Sequence, residues 1–473
     1  MRVSEYYKLG RTQPSLSFVD VDLHGDVKLF VSPRALLTPW GDECVSLIQN
    51  YFGTVVELIR KKNHTDAEAL LRVLKEPNET HLGLSKDESR GRGLGTDSAH
   101  DVWQAFARSK AAQSGLLTDL EDTVLMIDGV RADIVSDITT NIIRAPLIKF
   151  TQETCRFLGI PLEAEVDSGP LWDPHGRTWH SRFEKMPVAD GEKLLLVPKE
   201  IVRADMDYDV EKYYRHYVLE HLREVELEAN SELVQIMKWG KRRVTKKSLI
   251  EKYGRGKAMI TEHTLINPEL FKQYKKDNAK PSRPLTHRQL ADIESSPEPD
   301  WDALLKAVID LPVGNAAAAD YEKNIEALLS ALFYPVLAHP KPQTPIHDGR
   351  KRIDITYTNM GGRGFFEWLS KHYPSAHVFI ECKNYGREIE NPELDQISGR
   401  FSVSRGMFGI VVCRKFNNRL RFERGCRDTA LDNRGYVIAL DDADLKSLVS
   451  ARKKDLDFFD LATLKSRFDA LVM

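Results

Sequence analysis

After residue 300 the chain alternates between helical periodicity and short apolar runs, and this pattern constrains the fold more than any other feature. Residues 318–335 place Ile325, Leu328, Leu329 and Leu332 at the i, i+3, i+4, i+7 spacing of an amphipathic helix. The segments that follow predict the order helix, strand, strand, helix, strand, helix, strand, helix. This order is typical of an α/β domain.

The rest of the chain predicts a second, larger unit. A chain of 473 residues is too long for one ordinary hydrophobic core. A linker is predicted at residues 278–300, NAKPSRPLTHRQLADIESSPEPD. This segment has no apolar periodicity and is rich in proline, serine and charged residues. We therefore expect an N-terminal α+β region with a recognition or regulatory role at residues 1–277, and a C-terminal domain at residues 301–473.

The overall composition predicts a globular protein of the cytoplasm. The formal net charge is only -2, so any electrostatic attraction to nucleic acid must be local. The cysteines are odd in number and widely spaced, which argues against a disulfide framework or a zinc ribbon and favours a reducing compartment. No apolar run is long enough for a signal peptide or a membrane span, so we expect no membrane partner.

Two predicted strands carry the charged residues with the clearest chemical meaning. RIDITY places Asp354 among alternating apolar positions, and AHVFIECKNY places Glu381 and Lys383 two residues apart, on the same face of a strand. If the two strands pair, the three side chains can meet at one edge. Their carboxylates, with the backbone carbonyl of Cys382, would supply the oxygen ligands that Mg²⁺ prefers.

This combination suits the hydrolysis of a phosphodiester bond. A metal ion can activate water and neutralise the charge that develops on the phosphoryl oxygens. A neighbouring lysine can orient that water and stabilise the developing anion. The competing interpretation is structural: Glu381 and Lys383 would form an ordinary ion pair on an α/β domain.

The run G-R-K-R-I-D-I-T-Y followed by V-F-I-E-C-K-N-Y resembles the active-site signature of the PD-(D/E)XK nuclease superfamily. The resemblance implies a restriction-endonuclease-like fold, with a central mixed sheet flanked by helices. It assigns the first carboxylate to Asp354 and the E-x-K motif to Glu381 and Lys383. Two departures are Ile353 in place of the nominal proline, and a separation of 27 positions from Asp354 to Glu381 that contains an apparent insertion, GGRGFFEWLSKHYPS.

The resemblance also implies further site residues. A glutamate on the preceding helix commonly completes the metal site, and Glu322 is the natural match, with Glu326 as the alternative. On the following helix, Gln396 would lie near the scissile phosphate and Arg400 would contact a phosphate. The implied activity is that of a Mg²⁺-dependent DNA endonuclease, in which Mn²⁺ can substitute, acting in antiviral defence.

Other functions and partners stay open at this point. The fold could belong to a catalytically inactive nucleic-acid-binding or sensor protein, or the substrate could be RNA, because no RNA-reading signature decides between the nucleic acids. A homodimer, a protein partner and a phage-derived trigger are equally compatible with the sequence.

A basic segment at residues 238–257, KWGKRRVTKKSLIEKYGRGK, is a second candidate for nucleic-acid contact. Nine lysines and arginines face a single glutamate there, and two aromatic residues are interleaved with them. The alternative is a solvated helix face. The candidate phosphate contacts are Lys241, Arg242, Arg243, Lys246 and Lys247.

A glycine-rich stretch offers a weaker signal for phosphate binding. Gly91, Gly93 and Gly95 could cradle a phosphate, but no strand precedes them and no Gly-Lys-Ser follows. The pattern therefore favours a plain flexible loop.

Overall fold

The structure, a computed structural model, is of the mixed α/β class. It describes residues 1–38, 40–83, 104–280, 283–346, 351–387, 389–454 and 461–473. The glycine-rich stretch considered above lies outside these residues. Within the described ranges, no helix has both the length and the apolar character needed to cross a membrane.

Buried apolar side chains form two main clusters that divide the chain at about the same place as the predicted linker. The first cluster draws on residues 3–290 and also contains Tyr334, and the second draws on residues 301–471. Tyr334 joins the two regions, since the Nζ of Lys199 lies 4.3 Å from the centroid of its ring. The domain boundaries themselves stay a prediction.

The N-terminal region is built mainly from helices whose apolar faces meet in the first cluster. In Asp42–Arg60, for example, Ile48, Phe52 and Val55 follow helical spacing and all are buried. The helices are Val3–Tyr6, Asp42–Arg60, His64–Arg72, Lys110–Ser114, Asp122–Met126, Ala132–Ile142, Arg144–Leu158, Val210–Tyr213, Leu219–Glu228, Lys246–Tyr253, Lys257–Ile266 and Glu269–Asp277.

The strands of this region are short and form two-stranded antiparallel pairs. The strands are β1 Phe30–Val31, β2 Glu163–Asp167, β3 Leu171–Asp173, β4 Thr178–His180, β5 Phe183–Met186, β6 Val188–Ala189, β7 Glu192–Lys193, β8 Val202–Arg203, β9 Gln235–Ile236 and β10 Arg242–Arg243. The pairs are β1 with β8, β2 with β5, β3 with β4, β6 with β7, and β9 with β10.

The segment predicted to be a linker contains a packed helix, His287–Glu294. Its first turn is closed by a capping box, in which Thr286 accepts from the backbone of Gln289 and the Gln289 side chain accepts from the backbone of Thr286. The Nε2 atom of His287 lies 2.9 Å from the backbone oxygen of Ala331. The segment is therefore tied to the C-terminal region by buried contacts.

The C-terminal region contains a five-stranded mixed sheet. Its strands are β11 Leu337–Ile346, β12 Lys351–Asn359, β13 His377–Lys383, β14 Phe408–Cys413 and β15 Tyr436–Leu440. They lie in the order β11-β12-β13-β14-β15, in which the first two pairings are antiparallel and the last two are parallel. The helices are Trp301–Ile309, Ala318–Phe333, Gly364–His372, Asn391–Ser398, Arg419–Leu431, Asp442–Lys454 and Ala462–Val472.

The predicted amphipathic helix and the strands containing RIDITY and VFIECK are confirmed. β11 was not predicted from the sequence, because its three prolines disfavour a strand. The strand is tolerated because it lies at the sheet edge, where one side needs no ladder hydrogen bonds. The apparent insertion holds the helix Gly364–His372, whose Phe365, Phe366 and Leu369 are buried in the second cluster.

Candidate active site

Strand β13 positions the E-x-K pair in the interior of the sheet. Because β13 lies between β12 and β14, its side chains are shielded on both flanks, and Glu381 is 0% and Lys383 7% exposed. The Nζ of Lys383 donates to Oε1 of Glu381 at 2.7 Å and to Oε1 of Gln396 at 3.1 Å. Gln396 comes from the helix Asn391–Ser398, so this helix and the strand meet at the lysine.

Asp354 reaches the same place from β12. The two strands run antiparallel with Ile355 opposite Ile380, so Asp354 comes next to the charged end of β13. Its Oδ2 accepts a hydrogen bond of 2.9 Å from the backbone N–H of Cys382. The structure thus brings Asp354, Glu381, Lys383 and Gln396 together.

Arg400 makes a contact that the sequence analysis did not foresee. Its guanidinium donates to Oε2 of Glu381, so both carboxylate oxygens of Glu381 are paired with cationic groups, one from Lys383 and one from Arg400. Arg400 is only 5% exposed, and burial lowers the pKa of its guanidinium. Its charge compensates a carboxylate that would be costly to bury alone.

The two glutamates considered for the preceding helix have different surroundings. Glu322 accepts from the Nε2 of Gln343, and burial, together with the negative charge of Asp354, raises its pKa. Glu326 is bound instead by Arg11 of the N-terminal region, whose NH1 lies 2.5 Å from its Oε2. Glu322 is therefore the better placed of the two to act together with Asp354.

A cavity of about 1510 Å³ connects these residues. It lies between the two regions, because side chains of both line it. The C-terminal lining includes Glu322, Glu326, Asp354, Glu381, Cys382, Lys383, Gln396 and Arg400. The N-terminal lining includes Ser17, Trp40, Phe150, Glu153, Thr154, Arg156 and Phe157.

The chemistry of the donors suits a hard divalent cation. Glu322 and Asp354 are close enough for the charge of one to raise the pKa of the other, and a cation between them would relieve that repulsion. In the arrangement of the described residues, however, no three His, Cys, Asp or Glu side chains are assembled as metal ligands. The carboxylate of Glu381 is paired with two cations of the protein itself, Lys383 and Arg400.

Gln343 and Arg352 belong to this site but were not predicted. Gln343 lies on β11, whose prolines concealed the strand, so no signal pointed to it. Arg352 precedes Asp354 by two positions in the basic run GRKRID, whose charge is a signal that could have pointed to it. Its side chain lines the cavity and lowers the pKa of Glu322, against the stronger effect of burial.

The basic segment 238–257 is not brought to this site, and none of its five candidate contacts lines the cavity. Lys246 lies 3.1 Å from Glu220, and Lys247 lies 3.8 Å from Glu251. These pairs favour the solvated-surface interpretation for the two lysines. Lys241, Arg242 and Arg243 are exposed.

Comparison with known proteins bears on the N-terminal region only. Residues 8–209 match a family described as a domain of unknown function (DUF8370). This similarity ends well before the candidate site begins. No curated protein and no solved structure matches the chain.

Proposed function

We propose that this chain is a metal-dependent nuclease of the PD-(D/E)XK superfamily, with a restriction-endonuclease-like domain at its C-terminal end, and that it hydrolyses DNA phosphodiester bonds. One observation carries the proposal: Lys383 donates to Glu381 and Gln396, Asp354 accepts from the backbone N–H of Cys382, and all four of these side chains line one cavity. The mixed sheet with helices around it is compatible with the fold that the resemblance implies.

The proposed metal ligands are Asp354, Glu381, Glu322 and the backbone carbonyl of Cys382. Bound Mg²⁺, or Mn²⁺ in its place, would act as a Lewis acid and lower the pKa of a bound water. Lys383 then donates hydrogen bonds that orient the attacking water and stabilise negative charge on the phosphoryl oxygens. Gln396 accepts a hydrogen bond from the Nζ of Lys383 and so helps to hold it in place.

Arg400 has a double role in this proposal. Without substrate it compensates the charge of Glu381. If Glu381 held a metal ion, the guanidinium would be available to contact a phosphate oxygen, for which its planar set of donors is suited.

The test is a cleavage assay with the purified full-length chain. Supercoiled, linear, single-stranded and methylated DNA and RNA are incubated with Mg²⁺, Mn²⁺ or a chelator. DNA cleavage is expected with either metal ion, and Asp354→Ala and Lys383→Ala should abolish it. Asp395→Asn is the matched control, because this carboxylate neighbours Gln396 on the same helix but pairs with Arg434 at the surface. Unchanged cutting by both active-site variants would rule out this site.

A second candidate is a nucleic-acid-binding or sensor protein that does not cleave. The observation that favours it is the saturation of Glu381 by Lys383 and Arg400. Binding and turnover measured side by side separate the candidates, since binding without cleavage under every metal supports the sensor. Cleavage of RNA alone would identify a ribonuclease.

The proposed biological role, defence against foreign DNA in the cytoplasm, rests on analogy. In this role the N-terminal region selects the target, and a second copy, a protein partner or a phage-derived trigger contributes to control. Expression in a bacterial host should protect it against phage infection, and Lys383→Ala should remove the protection. Equal protection by this variant would separate any defence role from catalysis.

A further inference from the structure

Two ion pairs join the N-terminal and C-terminal regions at the cavity of the proposed active site, and three of the four side chains line that cavity. Arg11 of the N-terminal region lies 2.5 Å from Glu326 of the helix Ala318–Phe333. Glu153, on the helix Arg144–Leu158, lies 3.1 Å from the Nζ of Lys341 on β11. The N-terminal region therefore contacts the helix and the edge strand of the C-terminal region through salt bridges.

A third contact closes the same interface from another side. The rings of Trp40 and His339 are stacked, with their centroids 5.0 Å apart. The Nε2 of His339 also lies 2.5 Å from Oε1 of Glu200, and both of these side chains are buried. The walls are thus joined at separate points around the cavity.

The dimensions of this space select against a duplex. A volume of about 1510 Å³ exceeds the roughly 300–1,000 Å³ of a small-molecule pocket. A DNA duplex, however, is wider than its own major groove of about 12 Å. It cannot pass between walls held together by salt bridges unless those contacts break, whereas one extended strand needs less width than a duplex.

The lining of the cavity suits such a strand. Arg156, Lys323 and Arg352 are exposed cations that can follow a phosphate backbone. Phe157 and Tyr385 are partly exposed aromatic rings, and bases stack on such rings without regard to sequence.

We propose that this cleft binds single-stranded nucleic acid in preference to a duplex and delivers that strand to Asp354 and Lys383. The delivery step rests on the proposed nuclease function, but strand binding does not. Arg156 and Phe157 are the contacts of the N-terminal wall, so this region takes part in holding the substrate.

The test is fluorescence anisotropy with the full-length protein in chelator, where binding is measured without metal-dependent cleavage. The probes are a short labelled DNA strand, the RNA strand of the same sequence, and the blunt DNA duplex. At least one single strand should bind about tenfold more tightly than the duplex, and Phe157→Ala and Arg156→Gln should each weaken strand binding by about tenfold. Phe183→Ala is the control, because this aromatic side chain is exposed and lies outside both the cavity lining and the basic segment 238–257.

Glu153→Gln supplies a second, independent variant. Loss of its ion pair with Lys341 removes one bridge across the cleft, so duplex binding should increase relative to strand binding. Equal or tighter binding of the duplex by the natural protein, or unchanged strand affinity in both Phe157→Ala and Arg156→Gln, would overturn the proposal. If the protein prefers a single strand but cleaves nothing with any metal ion, the proposed nuclease function is wrong and the proposed strand binding stands. If it cleaves only duplex, the proposed strand binding is wrong and the nuclease function stands.

Discussion

The carboxylate of Asp354 accepts a hydrogen bond of 2.9 Å from the backbone N–H of Cys382, the residue that separates Glu381 from Lys383. This bond fixes the side chain of β12 against the backbone of β13. It also leaves the second oxygen of Asp354 available to the cavity that both strands line. Asp354 therefore has a structural contact and a proposed catalytic role that can be separated by mutation.

Asp354→Asn should separate these roles. The amide oxygen of asparagine can still accept the Cys382 N–H, so the melting temperature should stay close to that of the natural protein. Loss of the negative charge removes a proposed metal ligand, so the cleavage rate should fall by at least about 100-fold. Mutation of a residue that only hydrogen-bonds to a metal ligand already lowers activity by about 10- to 100-fold. Full activity with an unchanged melting temperature would show that Asp354 holds no metal.

Arg400→Gln should destabilise the protein, because it leaves Glu381 buried with only Lys383 as a charged partner. Removal of one member of a buried ion pair costs about 3–5 kcal/mol in the free energy of unfolding. Arg434→Gln is the control, since its pair with Asp395 is exposed and should contribute about 0–1 kcal/mol. Urea unfolding measures both, and equal losses would contradict the assigned role of Arg400.

The pH dependence of metal binding should report on Glu322. Burial and the charge of Asp354 raise its pKa, so protons compete with a metal ion at higher pH than for an ordinary glutamate. Metal binding by Glu322 is complete above its raised pKa and is lost as the pH falls through that pKa, so Mg²⁺ affinity should begin to decrease at a higher pH than it would with an ordinary glutamate. Calorimetric titration of Glu322→Gln should show weaker binding with a shallower pH dependence. Parallel pH profiles for the two proteins would exclude Glu322 as a ligand.

Local periodicity predicted the strands and the helix that frame the site. Alternation in RIDITY and VFIECK indicated the faces on which Asp354, Glu381 and Lys383 lie, because a strand has a side-chain period of two. The sequence could not show that Arg400 would pair with Glu381, since that contact depends on how the chain turns after the helix Asn391–Ser398.

Contacts between distant segments were beyond prediction for the same reason. No local pattern relates Arg11 to Glu326, which are 315 positions apart. The prolines of β11 gave a misleading local signal, because a strand at the sheet edge tolerates what a central strand excludes. The sequence did not predict that the N-terminal region forms one wall of the cleft. It predicted only a recognition or regulatory role for that region.

The salt dependence of strand binding should show whether the basic segment or the cleft contacts the nucleic acid. Of the segment's candidate contacts, Lys247 pairs with Glu251, and Arg242 donates to the backbone oxygen of Leu227 at 2.5 Å. We expect replacement of Lys241, Arg242, Arg243 and Lys247 by glutamine to leave the salt dependence of strand binding unchanged.

Each phosphate contact of a single strand contributes about 0.7 to the slope of log affinity against log salt concentration. The double variant Arg156→Gln, Arg352→Gln should therefore reduce this slope by about 1.4, because both side chains line the cavity. Anisotropy titrations over a series of salt concentrations measure the slope for both variants. A lower slope in the fourfold variant, together with an unchanged slope in the double variant, would show that the segment 238–257 contacts the nucleic acid and the cleft does not.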